Sequence, residues 1–156
     1  DGMIFENDLV GFHAGDNGAV WEDACVEFFS IPAGDGIYYN VECNCAGILL
    51  IGAGAGRENR EHAPQEVMDK VQRWSSLGRQ SFEERVGECN WELALVIPYS
   101  AFFKHQITSL DGKTVRANFY KCGDKLQTPH FLSWNPIALE KPNFHCPEFF
   151  GTLNFE

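Results

Sequence analysis

The sequence predicts an all-β antiparallel β-sandwich with one or two short helices inserted. Three observations indicate it: several segments alternate between apolar and polar residues, Gly/Asp turns separate them, and 44% of the residues are hydrophobic. A chain of 156 residues is long enough to bury a core of its own. Because no linker or internal repeat interrupts the composition, we predict a single domain over residues 1–156.

The first two strands are predicted within residues 25–31 and 38–45, each following a Gly/Asp turn. Along the second segment the odd positions are apolar, whereas the even positions carry Tyr38, Asn40, Glu42 and Asn44. Such alternation predicts a half-buried strand whose polar face meets solvent or a ligand. Three later segments repeat the period of two, within residues 91–97, 115–120 and 149–155.

Two helical segments are predicted between the strands. After Pro64, a favourable first-turn residue, Val67, Val71 and Trp74 fall at i, i+4 and i+7, which predicts a one-sided helix over residues 64–78. Residues 98–104 predict a short helical turn that carries Phe102 and Phe103 inward.

Charge and hydropathy exclude two classes of partner. The net charge is −10 and the pI is near 4.9, so a nucleic acid would meet no basic surface. The longest apolar run covers residues 46–55, which is about half of the roughly 20 residues that a membrane-spanning helix needs. We therefore expect no nucleic-acid partner and no membrane span, and the oligomeric state is open.

The glycine-rich segment 52–56 resembles a dinucleotide-binding loop only superficially. A G-x-G-x-x-G motif needs a third glycine for helix packing, and the position after the run is Arg57. The flanking segments are also predicted strands rather than a βαβ unit. We interpret this segment as a flexible connection between a strand and a helix.

Cofactor and catalytic signals are sparse. The histidines are scattered, and neither H-E-x-x-H nor C-x-x-C occurs, so we predict no transition-metal cofactor. Structural calcium stays open, because 22 acidic residues and the Asp-containing turns near Asp16, Asp35 and Asp111 supply oxygen ligands. No pattern fixes a base beside a nucleophile, so we predict no catalytic residues.

The four tryptophans divide into two pairs. Trp91 begins an alternating apolar segment and Trp74 lies on the apolar stripe of the predicted helix, so both are expected in the core. Trp21 and Trp134 occupy loop-like positions beside polar residues. Such aromatic rings either stack on the apolar face of a sugar or close the ends of the sandwich. Both interpretations remain open from the residues alone.

Four stretches resemble known carbohydrate-binding sequences. Residues 20–29, VWEDACVEFF, are similar to the W-x-D-x-x-V-E-x-F strand entry of family 9 carbohydrate-binding modules. Residues 116–124, 130–136 and 144–151 resemble the bacterial family 9-like proteins known from gut Bacteroidetes. The resemblance implies an immunoglobulin-like β-sandwich that binds glycans without catalysing a reaction. Members usually have one or two more strands before the first tryptophan, so whether this chain includes all of them is open.

The resemblance also implies a set of carbohydrate-binding residues. Trp21 matches the first of two tryptophans that sandwich the terminal sugar, Trp134 matches the second, and Glu27 matches a hydroxyl-binding glutamate. A family arginine falls at Asn40 and a family glutamine falls near Tyr120. The predicted site therefore comprises the residues Trp21, Glu27, Asn40, Asn118, Tyr120 and Trp134.

The leading hypothesis is non-catalytic binding of mono- or oligosaccharides at glycan chain ends. The alternative is a glycan-active enzyme or a module of a glycoside hydrolase system. A third, weaker hypothesis is a haem-binding electron carrier, for which only Met3 and Met68 are available as methionine ligands. A periplasmic or cell-surface location, in polysaccharide utilisation, is suggested only by the resemblance.

The six cysteines are predicted to be mostly or wholly reduced. Cys25, Cys43 and Cys45 lie within predicted strands, where thiols pack as small apolar groups. Cys122 and Cys146 lie in loop-like segments and are the one pair that we consider for a disulfide bond.

Overall fold

The computed structural model describes residues 15–156, and these residues form mostly antiparallel β-sheet. The strands are β1 (Cys25–Ile31), β2 (Tyr38–Asn44), β3 (Leu49–Gly54), β4 (Glu61–His62), β5 (Gln72–Ser75), β6 (Leu93–Val96), β7 (Thr114–Gly123), β8 (His130–Ser133) and β9 (Gly151–Asn154). The helix α1 covers Gln65–Met68, and 3₁₀ helices cover Val20–Glu22, Tyr99–Ala101 and Pro147–Phe149. The prediction of an all-β antiparallel sandwich with short helices is confirmed.

The larger sheet has seven strands, in the order β4-β3-β2-β1-β7-β8, with β9 pairing on the first half of β7. All of its pairings are antiparallel. Strand β7 is long enough to pair with β1 on one side, and with β9 and then β8 on the other. Strands β1 and β7 therefore lie in the interior of the sheet, with paired strands on both sides.

One face of this sheet carries the main apolar core. Val41, Cys43, Leu49 and Ile51 are buried there against α1 and the second, two-stranded sheet formed by β5 and β6. The alternation of β6 explains the contact, because Leu93 and Leu95 point toward this cluster. The opposite face of β1, β2 and β7 carries polar side chains, and loops cover it.

The helix predicted over residues 64–78 is wrong in most of its length. Only Gln65–Met68 is α-helical, and Gln72–Ser75 becomes β5 by pairing with β6. Val67 and Val71 are buried as expected, but Trp74 is 55% exposed rather than in the core. The pairing with β6 prevails over the i, i+4, i+7 spacing, since short apolar patterns do not separate helix from strand.

Three other predictions concern the glycine-rich segment, the helical turn near Phe102, and Trp91. The glycine-rich segment is not a flexible connection at its start, because Gly52 and Gly54 lie within β3. Phe102 is buried after the helical turn Tyr99–Ala101, which confirms the short helical segment predicted there. Trp91 is partly buried against a small cluster around Leu126.

The cysteines all lie within the described residues and all are free thiols, so the pair Cys122 and Cys146 is not bridged. Met68 is fully buried in the apolar core, and Met3 lies outside the described residues. Among residues 15–156, no helix has the length and apolar character required to cross a bilayer.

Candidate functional site

A cavity of about 420 Å³ lies over the polar face of the larger sheet. Its floor is formed by side chains of β1 and β2, and its walls come from the segments around residues 21, 57–62, 124, 131 and 142–145. Small-molecule sites commonly enclose about 300–1,000 Å³, so this volume is sufficient for a small ligand.

The floor consists of Glu27, Asn40 and Glu42. Glu27 and Glu42 are directly opposite each other in the pairing of β1 with β2, so both project from the same face of the sheet. Asn40 projects from that face as well, because it lies two residues before Glu42 on β2. Its amide nitrogen donates to Oε1 of Glu42 at 2.8 Å. Three polar side chains therefore lie together at the base of the cavity.

Arg60 fixes the orientation of Asn40. Its Nε and Nη2 atoms donate to Oδ1 of Asn40 at 2.9 and 2.6 Å. The same guanidinium donates to the carbonyl oxygens of Tyr38 and Gly56 and lies 4.0 Å above the Tyr38 ring. With its oxygen held by Arg60, Asn40 must present its NH₂ group to Glu42.

Gly52 is the neighbour that leaves room for this arrangement. It lies opposite Asn40 in the pairing of β2 with β3. A Cβ atom at position 52 would lie 2.6 Å from Oδ1 of Asn40, which is closer than such atoms approach in proteins. The first glycine of the glycine-rich segment therefore has a local role, because it permits close approach of the Asn40 side chain.

The two carboxyl groups of the floor are electrostatically unusual. Glu27 is 5% exposed and Glu42 is 4% exposed. Burial raises the pKa of Glu42 from 4.5 to about 7, although the hydrogen bond from Asn40 and the charge of Arg60 oppose the shift. Burial, and then the negative charge of Glu42, raise the pKa of Glu27 well above its ordinary value. At neutral pH the pair therefore retains protons that exposed glutamates would have lost.

Trp21 forms one aromatic wall and is 38% exposed. Its position depends on the end of β7: the Trp21 carbonyl accepts from the N–H of Asp124 at 3.1 Å. The Sγ of Cys122 also lies 3.5 Å from that carbonyl oxygen. The short 3₁₀ helix is thus attached to the sheet at the point where the ring reaches the cavity.

Phe131, Phe144 and His145 form another part of the cavity wall. Phe144 stacks on Tyr120 with ring centroids 4.2 Å apart, and the Tyr120 hydroxyl donates to the Phe144 carbonyl. His145 Nδ1 bonds with the Tyr38 hydroxyl at 2.8 Å. Burial, with the charge of nearby arginines, lowers the pKa of His145 to about 4, so this ring is neutral at physiological pH.

The structure brings three of the six predicted site residues together. Trp21, Glu27 and Asn40 all line the cavity. Asn118 and Tyr120 lie on the same face of β7 but are buried behind the wall. Asn118 exchanges two hydrogen bonds with the backbone of Asn135, so it holds the loop after β8 instead of facing the cavity.

Trp134 does not line the cavity, and its role as the second sandwiching ring stays a prediction. In the pairing of β8 with β7, Phe131 lies opposite Cys122, on the cavity face. Trp134 falls on the other face, because side chains alternate along a strand, and its ring makes an edge contact with Phe119 at 5.8 Å. Phe131 therefore lines the cavity, whereas Trp134 faces away from it.

Sequence reasoning missed Glu42, Arg60 and Phe131. The even positions of residues 38–45 already contained the signal for Glu42, since Asn40 and Glu42 share the polar face. Arg60 had no signal, because it reaches the floor from the segment between β3 and β4. Its guanidinium stands beside Asn40, the position at which the related family has an arginine.

Among the described residues, one group of side chains that could bind a metal ion includes Glu27 of the floor. One atom each from Cys25, Glu27 and Cys122 lie within 4.8 Å of one another, a donor set that suits a soft divalent ion such as Zn²⁺. Two turn aspartates considered for calcium are otherwise engaged: Asp16 pairs with Arg73 and Asp35 with His105. Structural calcium stays a prediction.

The arrangement is chemically suited to a polyhydroxylated ligand. Carboxyl and amide groups on the floor accept and donate hydrogen bonds, and the rings of Trp21 and Phe131 offer apolar faces. Around the rim, Asp124, Glu58 and Arg57 add charged groups.

Comparisons with known proteins agree with this chemistry. The sequence profile of carbohydrate-binding family 9 matches residues 3–155. A search of curated proteins finds no match. The crystal structure of a candidate carbohydrate-binding protein from Bacteroides uniformis is similar, with a TM-score of 0.93 and 67% sequence identity. The match covers 97% of this chain and 69% of that chain.

Proposed function

The chain belongs to carbohydrate-binding family 9, and on that basis we propose that its cavity binds a mono- or oligosaccharide without catalysing a reaction. The observation that carries the proposal is the combination of a buried polar floor with an aromatic wall at Trp21. A sugar ring has one apolar face and a circle of hydroxyl groups, so it matches both surfaces at once.

The cavity favours the end of a glycan over its middle. Protein segments border it on several sides: the turn at Trp21, the segment 57–62 and the loop 142–145. A volume near 420 Å³ is at the low end of small-molecule sites, so it encloses a short ligand rather than a long chain. We expect weak binding, since a single sugar offers few atoms.

Isothermal titration against a panel of mono- and oligosaccharides tests this function. Trp21→Ala removes the aromatic wall, and we expect it to lower affinity at least about 10-fold, in line with the loss of one well-packed aromatic contact. Trp134→Ala is the matched control, because it deletes the same side chain on the opposite face of the sheet. Equal effects of the two variants, or no binding of any sugar, would contradict the proposal.

Catalysis on glycans is the second candidate, and the raised pKa values of Glu27 and Glu42 favour it. A cavity carboxyl that keeps its proton near neutral pH is suited to act as a general acid. Release of reducing sugar from polysaccharides, lost in Glu27→Gln, would support an enzyme. Sugar binding with no release over days would support the binding module.

A further inference from the structure

Glu42 has a carboxylate oxygen for which the described residues provide no partner. Asn40 donates to Oε1, whereas Oε2 is buried and accepts no hydrogen bond within residues 15–156. A buried acceptor without a donor is unfavourable and rare in native structures, so its presence requires an explanation. Because Glu42 lines the cavity, a ligand donor is the explanation that the site itself offers.

Glu27 is the cross-strand neighbour of Glu42. The two glutamates occupy directly opposite positions on β1 and β2, where side chains on one face are about 5 Å apart at Cβ. The Oε1 atom of Glu27 already accepts from Sγ of Cys122 at 2.9 Å, so this residue too is held in place from behind. Two carboxyl groups thus meet the ligand side by side.

The groups around the two glutamates determine what the floor offers a ligand. Asp124 lines the cavity close to Glu27, and its charge is among the causes of the raised Glu27 pKa. The guanidinium of Arg60 donates to Asn40 and to three backbone carbonyls, of Tyr38, Gly54 and Gly56. The carboxyl groups of the floor therefore remain available to the ligand as acceptors, which suits the hydroxyl donors of a sugar.

From these contacts we propose that Glu42 and Glu27 accept hydrogen bonds from two adjacent hydroxyl groups of one sugar ring, so that the site selects sugars with a free vicinal diol. This inference rests on the proposed carbohydrate-binding function. It adds Glu42 as a residue that determines specificity.

A deoxy-sugar scan of the native protein is the first test. The best neutral monosaccharide from the panel is compared with its single deoxy analogues by isothermal titration. Two analogues, lacking hydroxyls on adjacent carbons, should each bind at least about 10-fold more weakly, since each leaves a buried carboxyl oxygen without a donor.

A combination with Glu42→Gln identifies the residue. The variant should bind the parent sugar about 10-fold more weakly and lose little further affinity for one of the two deoxy analogues, because the lost partners belong to the same hydrogen bond. Glu66→Gln removes the same charge from the exposed surface of α1, outside the cavity lining, and is the matched control. Circular dichroism verifies that both variants fold.

Three outcomes overturn the inference. The first is that the native protein binds the deoxy analogues without a loss of affinity at any two adjacent carbons. This outcome is measured without a variant. The second is Glu42→Gln acting equally on the parent and on every analogue, or not at all, while sugar binding itself persists. The third is the absence of binding to any sugar, which overturns the proposed function as well.

Discussion

Gly52 is the residue on which the geometry of the floor depends most directly. We expect Gly52→Ala to displace Asn40, because the added Cβ would lie 2.6 Å from its Oδ1 atom. The displaced amide releases both Arg60 and Glu42, so sugar affinity should fall about 10-fold or more. Titration of the variant measures this. Gly56→Ala is the control, since a Cβ there meets nothing within 4 Å, and an equal loss in both would contradict the explanation.

Glu42 should make binding depend on pH. Its ionised form is the better acceptor, so affinity for a neutral sugar should rise between about pH 6 and 8 as the group with a pKa of about 7 loses its proton. Glu27, Asp124, Arg60 and His62 also face the cavity, so titration of the native protein alone is not sufficient. The rise should disappear in Glu42→Gln and persist in His62→Gln. A rise that Glu42→Gln retains would contradict the assignment.

The same residue should affect stability with the opposite sign. The folded protein holds the Glu42 proton more tightly than the unfolded chain, so ionisation disfavours folding as pH increases from about 4.5 through 7. Glu42→Gln should therefore raise the free energy of unfolding at pH 8, by of the order of a few kcal/mol, and change it little at pH 4. Urea unfolding at the two pH values measures the difference, and a variant equally or less stable at pH 8 would contradict it.

At the scale of single elements, side chains alternate between the two faces along β8 and at the residue that follows it, so Phe131 and Trp134 have different roles. Phe131→Ala should weaken sugar binding about 3- to 10-fold, because this ring lines the cavity. Trp134→Ala should leave binding unchanged and lower stability by about 1 kcal/mol, since it removes the edge contact with Phe119. Titration and thermal melting of both variants compare the two effects. Reversed results would mean that the register of β8 is different.

The strands were predictable because their signal is local, whereas the site depends on pairing between distant segments. Residues 25–31 alternate in apolar character, and the strand β1 has these bounds. The helix expected over residues 64–78 failed because β6, some 20 residues later, converts its second half into β5. The face that Trp134 occupies could not be predicted for a related reason, since only the register of β8 against β7 decides it. Arg60 reaches the floor through a loop path that residue spacing does not encode.

At the scale of the whole molecule, the thiols report whether the sheet is intact. Five of the six cysteines are buried, and burial raises the pKa of Cys43 and of Cys45 to about 12. A thiol reagent should therefore react slowly with five of the six thiols in the native protein, all except the partly exposed Cys89, and with about six thiols after denaturation without reductant. Two or fewer reactive thiols in the denatured protein would show that cysteines pair in solution. Fast reaction of more than one thiol in the native protein would show that the sheet opens readily.

The position of β7 has a consequence for how the chain folds as it is synthesised. This central strand begins at Thr114 yet pairs with β1, which ends at Ile31, so more than half of the chain emerges before the sheet can close. Pairings between such distant segments slow folding in small domains. A nascent chain that stops before β7 presents the unpaired edge of β1, an exposed template for aggregation. Ribosomal pausing before residue 114 should therefore promote aggregation more than pausing after β9.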